Sequence, residues 1–255
     1  MNMSGNTMLI TGGGSGIGRA LAEQFHALGN TVIIAGRRQS ALDETTRANP
    51  GMASLTLDIG GAGAIRAFAQ KAVTEHPGLN VVIHNAGVMA PEALLAADFD
   101  LATAEATIAT NLLGPIRLTS ALLPHLLRQP QATIITVSSG LAFLPMAMTP
   151  TYCATKAAIH SYSQSLRYQL KDTAVQVIEI APPYVQTELM GSHQASDPAA
   201  MPLEDFITET MSILKTSPRV AEVCVERVKP LRNAEANGGY DVFFKTFNDA
   251  MTAGH

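Results

Sequence analysis

Thr7-Met8-Leu9-Ile10-Thr11 runs directly into Gly12-Gly13-Gly14-Ser15-Gly16-Ile17-Gly18. A short β-prone run thus meets a glycine-rich turn, and the pattern beyond it reads as a helix over 16–28. Glycines let a backbone turn tightly and approach an anion closely. The N-terminus of the following helix offers free amides and the positive end of its dipole. Such a turn by itself also serves simply as a tight turn. The strand before it and the helix after it favour a pyrophosphate cradle.

Working outward, short apolar runs alternate with helical stretches. Strands are expected over 7–10, 31–35, 53–57, 79–84, 132–137 and 175–181. Helices are expected over 16–28, 40–48, 62–75, near 98–112, over 116–127 and over 152–170. The strands read as nearly continuous apolar runs, as in a parallel sheet covered on both faces. Right-handed crossovers then give a doubly wound α/β fold of Rossmann type, with strand order 3-2-1-4-5-6. No linker, repeat or low-complexity tract divides the chain, so residues 1–255 are read as one domain. Residues 190–201 (M-G-S-H-Q-A-S-D-P-A-A-M) fit an ordinary surface loop, or a mobile cover over a ligand site within a region 189–216. Residues 238–255 read as irregular and are not assigned.

Composition narrows the function. The 255 residues are 47% hydrophobic and 15% charged, which suits a globular protein. A formal net charge of −4 with scattered basic residues argues against nucleic acid. Cys153 and Cys224 have neither metal-ligand spacing nor a disulfide framework, and a reduced cytoplasmic setting fits. Residues 1–5 lack the features of a secretory signal, and no apolar run reaches the roughly 18 residues of a membrane span. No His, Asp and Glu cluster has ligand spacing, so no catalytic metal is expected.

The second strand ends in Ala35-Gly36-Arg37-Arg38. An NAD site wants a carboxylate here for the ribose diol, and that carboxylate would repel a 2′-phosphate. Gly36 stands there instead, and the arginines after it suit bidentate phosphate contact. They also fit a solvated turn. The expected cofactor is NADP(H).

Tyr152 and Lys156 lie four apart in Y-C-A-T-K, with Ser139 upstream in I-I-T-V-S-S. On a helix they share a face. A cation near a phenol favours the phenolate and makes tyrosine, whose ordinary pKa is about 10, a usable acid or base. Five tyrosines and six lysines in 255 residues give roughly 0.1 chance pairs at this spacing. The pair alone is therefore only suggestive.

Taken together, the glycine turn, Asp58 after the third strand, Asn85-Ala86-Gly87 after the fourth, Asn111, Ser139, Tyr152 and Lys156 resemble the short-chain dehydrogenase/reductase family over nearly the whole chain. The resemblance implies Tyr152 as general acid or base, Lys156 as the cation that lowers its pKa, Ser139 as holder of the substrate oxygen, and Asn111 as support for a proton-relay water. It implies cofactor contacts from Gly12, Ser15, Gly16, Ile17, Gly18, Arg37, Arg38, Asp58, Ile59, Asn85, Ala86, Gly87, Tyr152 and Lys156, and from Pro182, Val185 and Thr187. Two departures stand out. Pro182-Pro183 replaces the family's Pro-Gly, and a C-terminal V-D-G-G-type segment is missing, which favours a homodimer over a tetramer. A-P-P-Y-V-Q-T-E-L and M-P-L-E-D-F-I are similar to a subgroup named for its association with teichoic-acid D-alanylation genes.

Leu141, Phe143, Met146, Tyr184 and Met190, with Met148 and Met201 nearby, suggest an apolar substrate site. The expected activity is NADPH-dependent interconversion of an apolar ketone or aldehyde with its alcohol. Alternatives are a 3-oxoacyl-thioester reductase acting on a carrier protein, which needs basic residues such as Arg128, Arg167 and Lys171 at the pocket mouth, and a non-catalytic NADP(H) sensor. His84, His193 and Cys153 are read as bystanders.

Overall fold

A computed structural model describes residues 1–97 and 100–253. Seven parallel strands form one sheet in the order β3-β2-β1-β4-β5-β6-β7. They are β1 (Thr7–Thr11), β2 (Thr31–Gly36), β3 (Ala53–Thr56), β4 (Leu79–His84), β5 (Ala132–Val137), β6 (Val175–Ile180) and the two-residue β7 (Glu222–Val223). The expected order holds, with β7 added at one edge.

Neighbouring side chains of each strand enter opposite layers. Met8, Ile10, Val32, Ile34, Val81 and Ile83 share one buried cluster with Leu21 and Phe25 of α1 (Gly16–Ala27), Leu42 of α2 (Gln39–Ala48) and Phe206, Ile207 and Leu214 of α7 (Leu203–Thr216). Leu9, Ile33, Leu79, Val82 and Ile134 share the other with α3 (Ala62–Glu75), α5 (Gly114–Leu126) and α6 (Pro150–Gln169). Period-two alternation inside apolar runs therefore builds a core on both faces.

Several expectations need correction. The helix expected near 98–112 begins at residues that lie outside the described ones. Within them, α4 (Ala102–Ile108) passes through a π-helical turn, Ala109–Leu113, into α5. Such turns are rare and often mark functional sites. The region 189–216 divides in two. Its first part is irregular, with a short 3-10 turn at Ser192–Ser196, whereas α7 packs one face into the core. Residues 240–253, expected to be irregular, form α9 (Tyr240–Ala253) behind α8 (Lys229–Arg232). Among the described residues, no helix is long and apolar enough to cross a membrane.

Candidate active site

The glycine turn folds against the carboxyl ends of β1 and β4. Gly12 has φ +69°, and a Cβ there would lie 2.8 Å from Asn85 Nδ2 and 2.9 Å from Ala86 Cα. At Gly18 a Cβ would come within 2.3 Å of the Gly12 carbonyl oxygen. Only glycine permits this closeness of turn and helix. Thr11 completes the fixture: its Oγ1 donates to the Ile83 carbonyl at 3.2 Å and accepts the Asn85 and Ala86 N–H groups at 3.1 Å. Ile17 turns its side chain into the core, leaving its backbone to the turn.

A cleft opens beside this turn, lined by Thr11, Gly12, Gly14, Ser15, residues 35–38, Ala41, Leu42, Leu57, Ile59, residues 86–88 and Thr110. Arg38 Nη2 donates to Ser15 Oγ at 3.3 Å, whereas exposed Arg37 has no hydrogen-bond or ion-pair partner among the described residues. Ile59 lines the cleft, but exposed Asp58 does not. Its carboxylate accepts the Gly60 N–H at 3.1 Å and closes its own turn, and Leu57 takes the flanking place. Leu57, Val88 and Thr110 were missed because each is an ordinary residue whose role depends on what faces it. The glycine cradle, the helix N-terminus and the basic rim together fit a dinucleotide.

Gly87 connects this cleft to the Tyr152 end. A Cβ on Gly87 would lie 3.4 Å from Asn111 Oδ1 and 3.8 Å from Lys156 Nζ. Asn111, Ser139, Tyr152 and Lys156 are all buried, with 2–7% of their surface exposed. Pro150 opens α6, where a missing N–H costs nothing. Along this helix Lys156 Nζ stands 5.5 Å from the centre of the Tyr152 ring and donates to the Val137 carbonyl at 2.8 Å. Ser139 hydrogen-bonds the Tyr152 phenol, and its Oγ accepts the Leu141 N–H at 3.1 Å.

The electrostatics differ from the expectation that Lys156 lowers the Tyr152 pKa. Burial holds the phenol above its ordinary value, and the hydrogen bond from Ser139 opposes this in part. The ammonium lies over the ring and is engaged by Val137. Burial also pulls Lys156 down to about 8, against the opposing charge of Glu179.

Glu179 was not singled out from sequence. It is fully buried in β6; Ser138 Oγ donates to it at 2.5 Å and His160 Nδ1 lies 2.8 Å from its Oε2. His160 Nδ1 is also 3.6 Å from Glu222 Oε1, so three ligand-type residues meet despite distant sequence positions. Glu222 is already engaged by Arg232 Nε at 2.8 Å and Nη2 at 3.1 Å. Tyr152, Lys156 and His160 lie at successive four-residue intervals of α6, so this network continues the helix face that carries Tyr152 and Lys156.

On the substrate side, Met146, Tyr152 and Cys153 form a small buried cluster, with Met89, Leu141, Met148, Met190 and Phe247 packed against it. Leu141, Met146 and Met190 are thus gathered as expected. Phe143 is not: its ring meets His160 edge-on at 4.8 Å and carries the Arg232 guanidinium at 4.5 Å. Tyr184 is exposed and donates to Asp197 Oδ2 at 3.0 Å, and Met201 belongs to the main core. Met89 and Phe247 escaped the sequence reading, the latter because its helix went unassigned.

Val185 is buried in the core with its carbonyl taken by Gln194 Nε2 at 2.7 Å, and the Pro182 carbonyl accepts the Gly140 N–H at 2.8 Å. Thr187 alone of these three faces the glycine turn; its Cγ2 would meet a Cβ on Gly16 at 3.5 Å. His84 is a core residue, bonded through Nε2 to Thr119 Oγ1 at 2.8 Å and lowered to about 4 by burial.

A doubly wound sheet with a dinucleotide cradle and a buried Ser–Tyr–Lys set defines a class of nucleotide-dependent oxidoreductase. The short chain dehydrogenase family model matches residues 6–198, and the chain belongs to that family. It is 40% identical over 256 residues to the uncharacterized oxidoreductase DltE of Bacillus subtilis (strain 168), covering 97% of this chain and 98% of that one. This bears out the narrower likeness to the teichoic-acid-associated subgroup. An uncharacterized oxidoreductase of Staphylococcus aureus (strain N315) is 29% identical, over 88% of this chain and 96% of its own. The fold is similar to a short-chain dehydrogenase from Streptomyces avermitilis, with TM-score 0.81, 22% identity and full coverage of both chains. It is also similar to a Burkholderia cenocepacia short chain dehydrogenase in complex with NADP, with TM-score 0.78, 22% identity and coverage of 92% and 95%.

Proposed function

We propose that this oxidoreductase is an NADPH-dependent carbonyl reductase, reversible to an alcohol dehydrogenase, acting on an apolar ketone or aldehyde. The observation that carries the reading is the burial of Ser139, Tyr152 and Lys156 together between a basic-rimmed cleft and an apolar cluster. When bound, the nicotinamide supplies the hydride. Tyr152 gives its phenolic proton to the carbonyl oxygen, and Ser139 holds that oxygen where negative charge develops. The hydrogen bond from Ser139 favours the phenolate left behind, and Lys156, beside Gly87 at the end of the cleft, would hold the nicotinamide ribose. In the reverse direction Tyr152 takes the proton back. Asn111 shapes the backbone beside Lys156, and the glycine turn, Ser15 and Ile59 hold the nucleotide.

The choice of NADPH rests on Gly36 in the place of a carboxylate, on Arg37, which has no partner among the described residues, and on Arg38 beside Ser15. The carrier-protein alternative loses its motivation. Arg167 donates to the Val177 and Ala221 carbonyls, Arg128 to the Pro124 carbonyl, and Lys171 pairs with Asp172, all near the opposite ends of the strands. The sensor alternative has no support in a site whose four reactive side chains are present and buried. We keep the homodimer as the assembly, to be checked by light scattering.

NADPH oxidation with a panel of apolar ketones tests the activity. Tyr152→Phe should abolish turnover while leaving NADPH binding; undiminished turnover sinks the mechanism.

A further inference from the structure

The C-terminal helix α9 stands apart from the doubly wound core. It follows Gly238 and Gly239, both in the left-handed region at φ +73° and +71°. Its aromatic residues Tyr240, Phe243, Phe244 and Phe247 recur at one-turn spacing on one face and are half-buried. Two bonds from Asn248 tie the helix to the segment that carries Met146 and Met148. The Ala147 N–H donates to Asn248 Oδ1 at 2.6 Å, and Asn248 Nδ2 donates to the Pro145 carbonyl at 3.1 Å. Phe247, one residue before this latch, packs against the Met146–Tyr152–Cys153 cluster.

We infer that Phe247 is a specificity-determining residue that closes the apolar end of the substrate site, with Asn248 as the positioning residue that holds it there. The inference rests on the reading that Tyr152 handles the substrate carbonyl. Apart from the phenol and thiol groups, the gathered side chains are hydrocarbon or thioether, and the nearby Glu92 carboxylate already accepts the Thr151 N–H and Oγ1–H, so an ionised substrate tail would be buried there without a free partner. An apolar tail is accepted only as far as the Phe247 ring allows. Rejection of longer tails is steric, which discriminates more sharply than the gain from each added methylene. The preferred substrates are therefore short-chain apolar carbonyl compounds.

A series of straight-chain methyl ketones from butanone to decanone tests this. In Phe247→Ala the ratio of kcat/KM for decanone over butanone should rise roughly tenfold, and Asn248→Ala should move it the same way. An unchanged ratio in both variants overturns the inference. The chain contains no tryptophan, so Phe247→Trp introduces a single indole whose signal needs no turnover. Blue-shifted emission that changes when butanone, the short ketone the closed site accepts, is added supports the placement. Emission typical of a solvated indole and indifferent to butanone overturns it. If Tyr152→Phe keeps wild-type turnover, the catalytic reading falls, and the indole still decides the position of Phe247.

Discussion

Asn111 and Val88 exchange two hydrogen bonds: the Val88 N–H donates to Asn111 Oδ1 at 2.9 Å, and Asn111 Nδ2 donates to the Val88 carbonyl at 2.8 Å. The pair pins the π-helical turn to the segment that follows β4. Asn111→Ala should therefore leave two backbone groups without partners and cost about 1–3 kcal/mol of stability. Urea denaturation measures it. A side chain serving only to order a water near Lys156 would change stability by less than about 0.5 kcal/mol.

Arg37 is an exposed guanidinium at the rim of the cleft with no partner among the described residues. Arg37→Ala should weaken NADPH by roughly tenfold to a hundredfold through loss of a charge-assisted phosphate contact, with NADH little affected. Fluorescence titration with both cofactors checks this. Equal losses would show that the phosphate lies elsewhere.

Glu179 is a fully buried carboxylate held by Ser138 and His160. Glu179→Ala strips His160 and Ser138 of their acceptor and should cost about 3–5 kcal/mol. Glu179→Gln keeps an oxygen for Ser138 and should cost less. Thermal and urea unfolding of both variants decide it; equal costs would contradict the assigned bonds.

Lys156 in the folded protein titrates at about 8, below its ordinary 10.5, chiefly because it is buried. Between those values the unfolded chain holds the extra proton, so this group makes stability rise with pH across the window. Its burial penalty applies in full below the lower value and is gone above the upper one. Lys156→Met should therefore lack that rise in cofactor-free protein. Parallel pH–stability curves for variant and wild type would refute it.

The strands and the glycine turn were legible because their signals are local. Leu9 and Ile10 need only alternate to reach the two cores, and the glycine run marks a tight turn by composition, although within it only Gly12 and Gly16 take positive φ. The π turn was not legible: nothing in A-T-N-L-L distinguishes it from continuing helix, and the Asn111–Val88 pair forms only after β4 and α4 meet. The short β7 was equally hidden, since two residues carry no period. In α9 the aromatic spacing was present in the sequence, but the glycines before it and the polar residues between masked it.

The sequence by itself determined the sheet, the family and the candidate Ser139, Tyr152 and Lys156 set, because each depends on residue identity at fixed short spacing. Only the tertiary structure decided that Phe247 joins Tyr152 while Phe143 and Tyr184 do not, and that Glu179 lies beneath Ser138. Those relations join residues far apart in the chain, and they arise from packing and burial, which no local pattern encodes. The same burial sets the protonation behaviour: it raises Tyr152 and lowers Lys156, where spacing alone suggested that the lysine would govern the phenol.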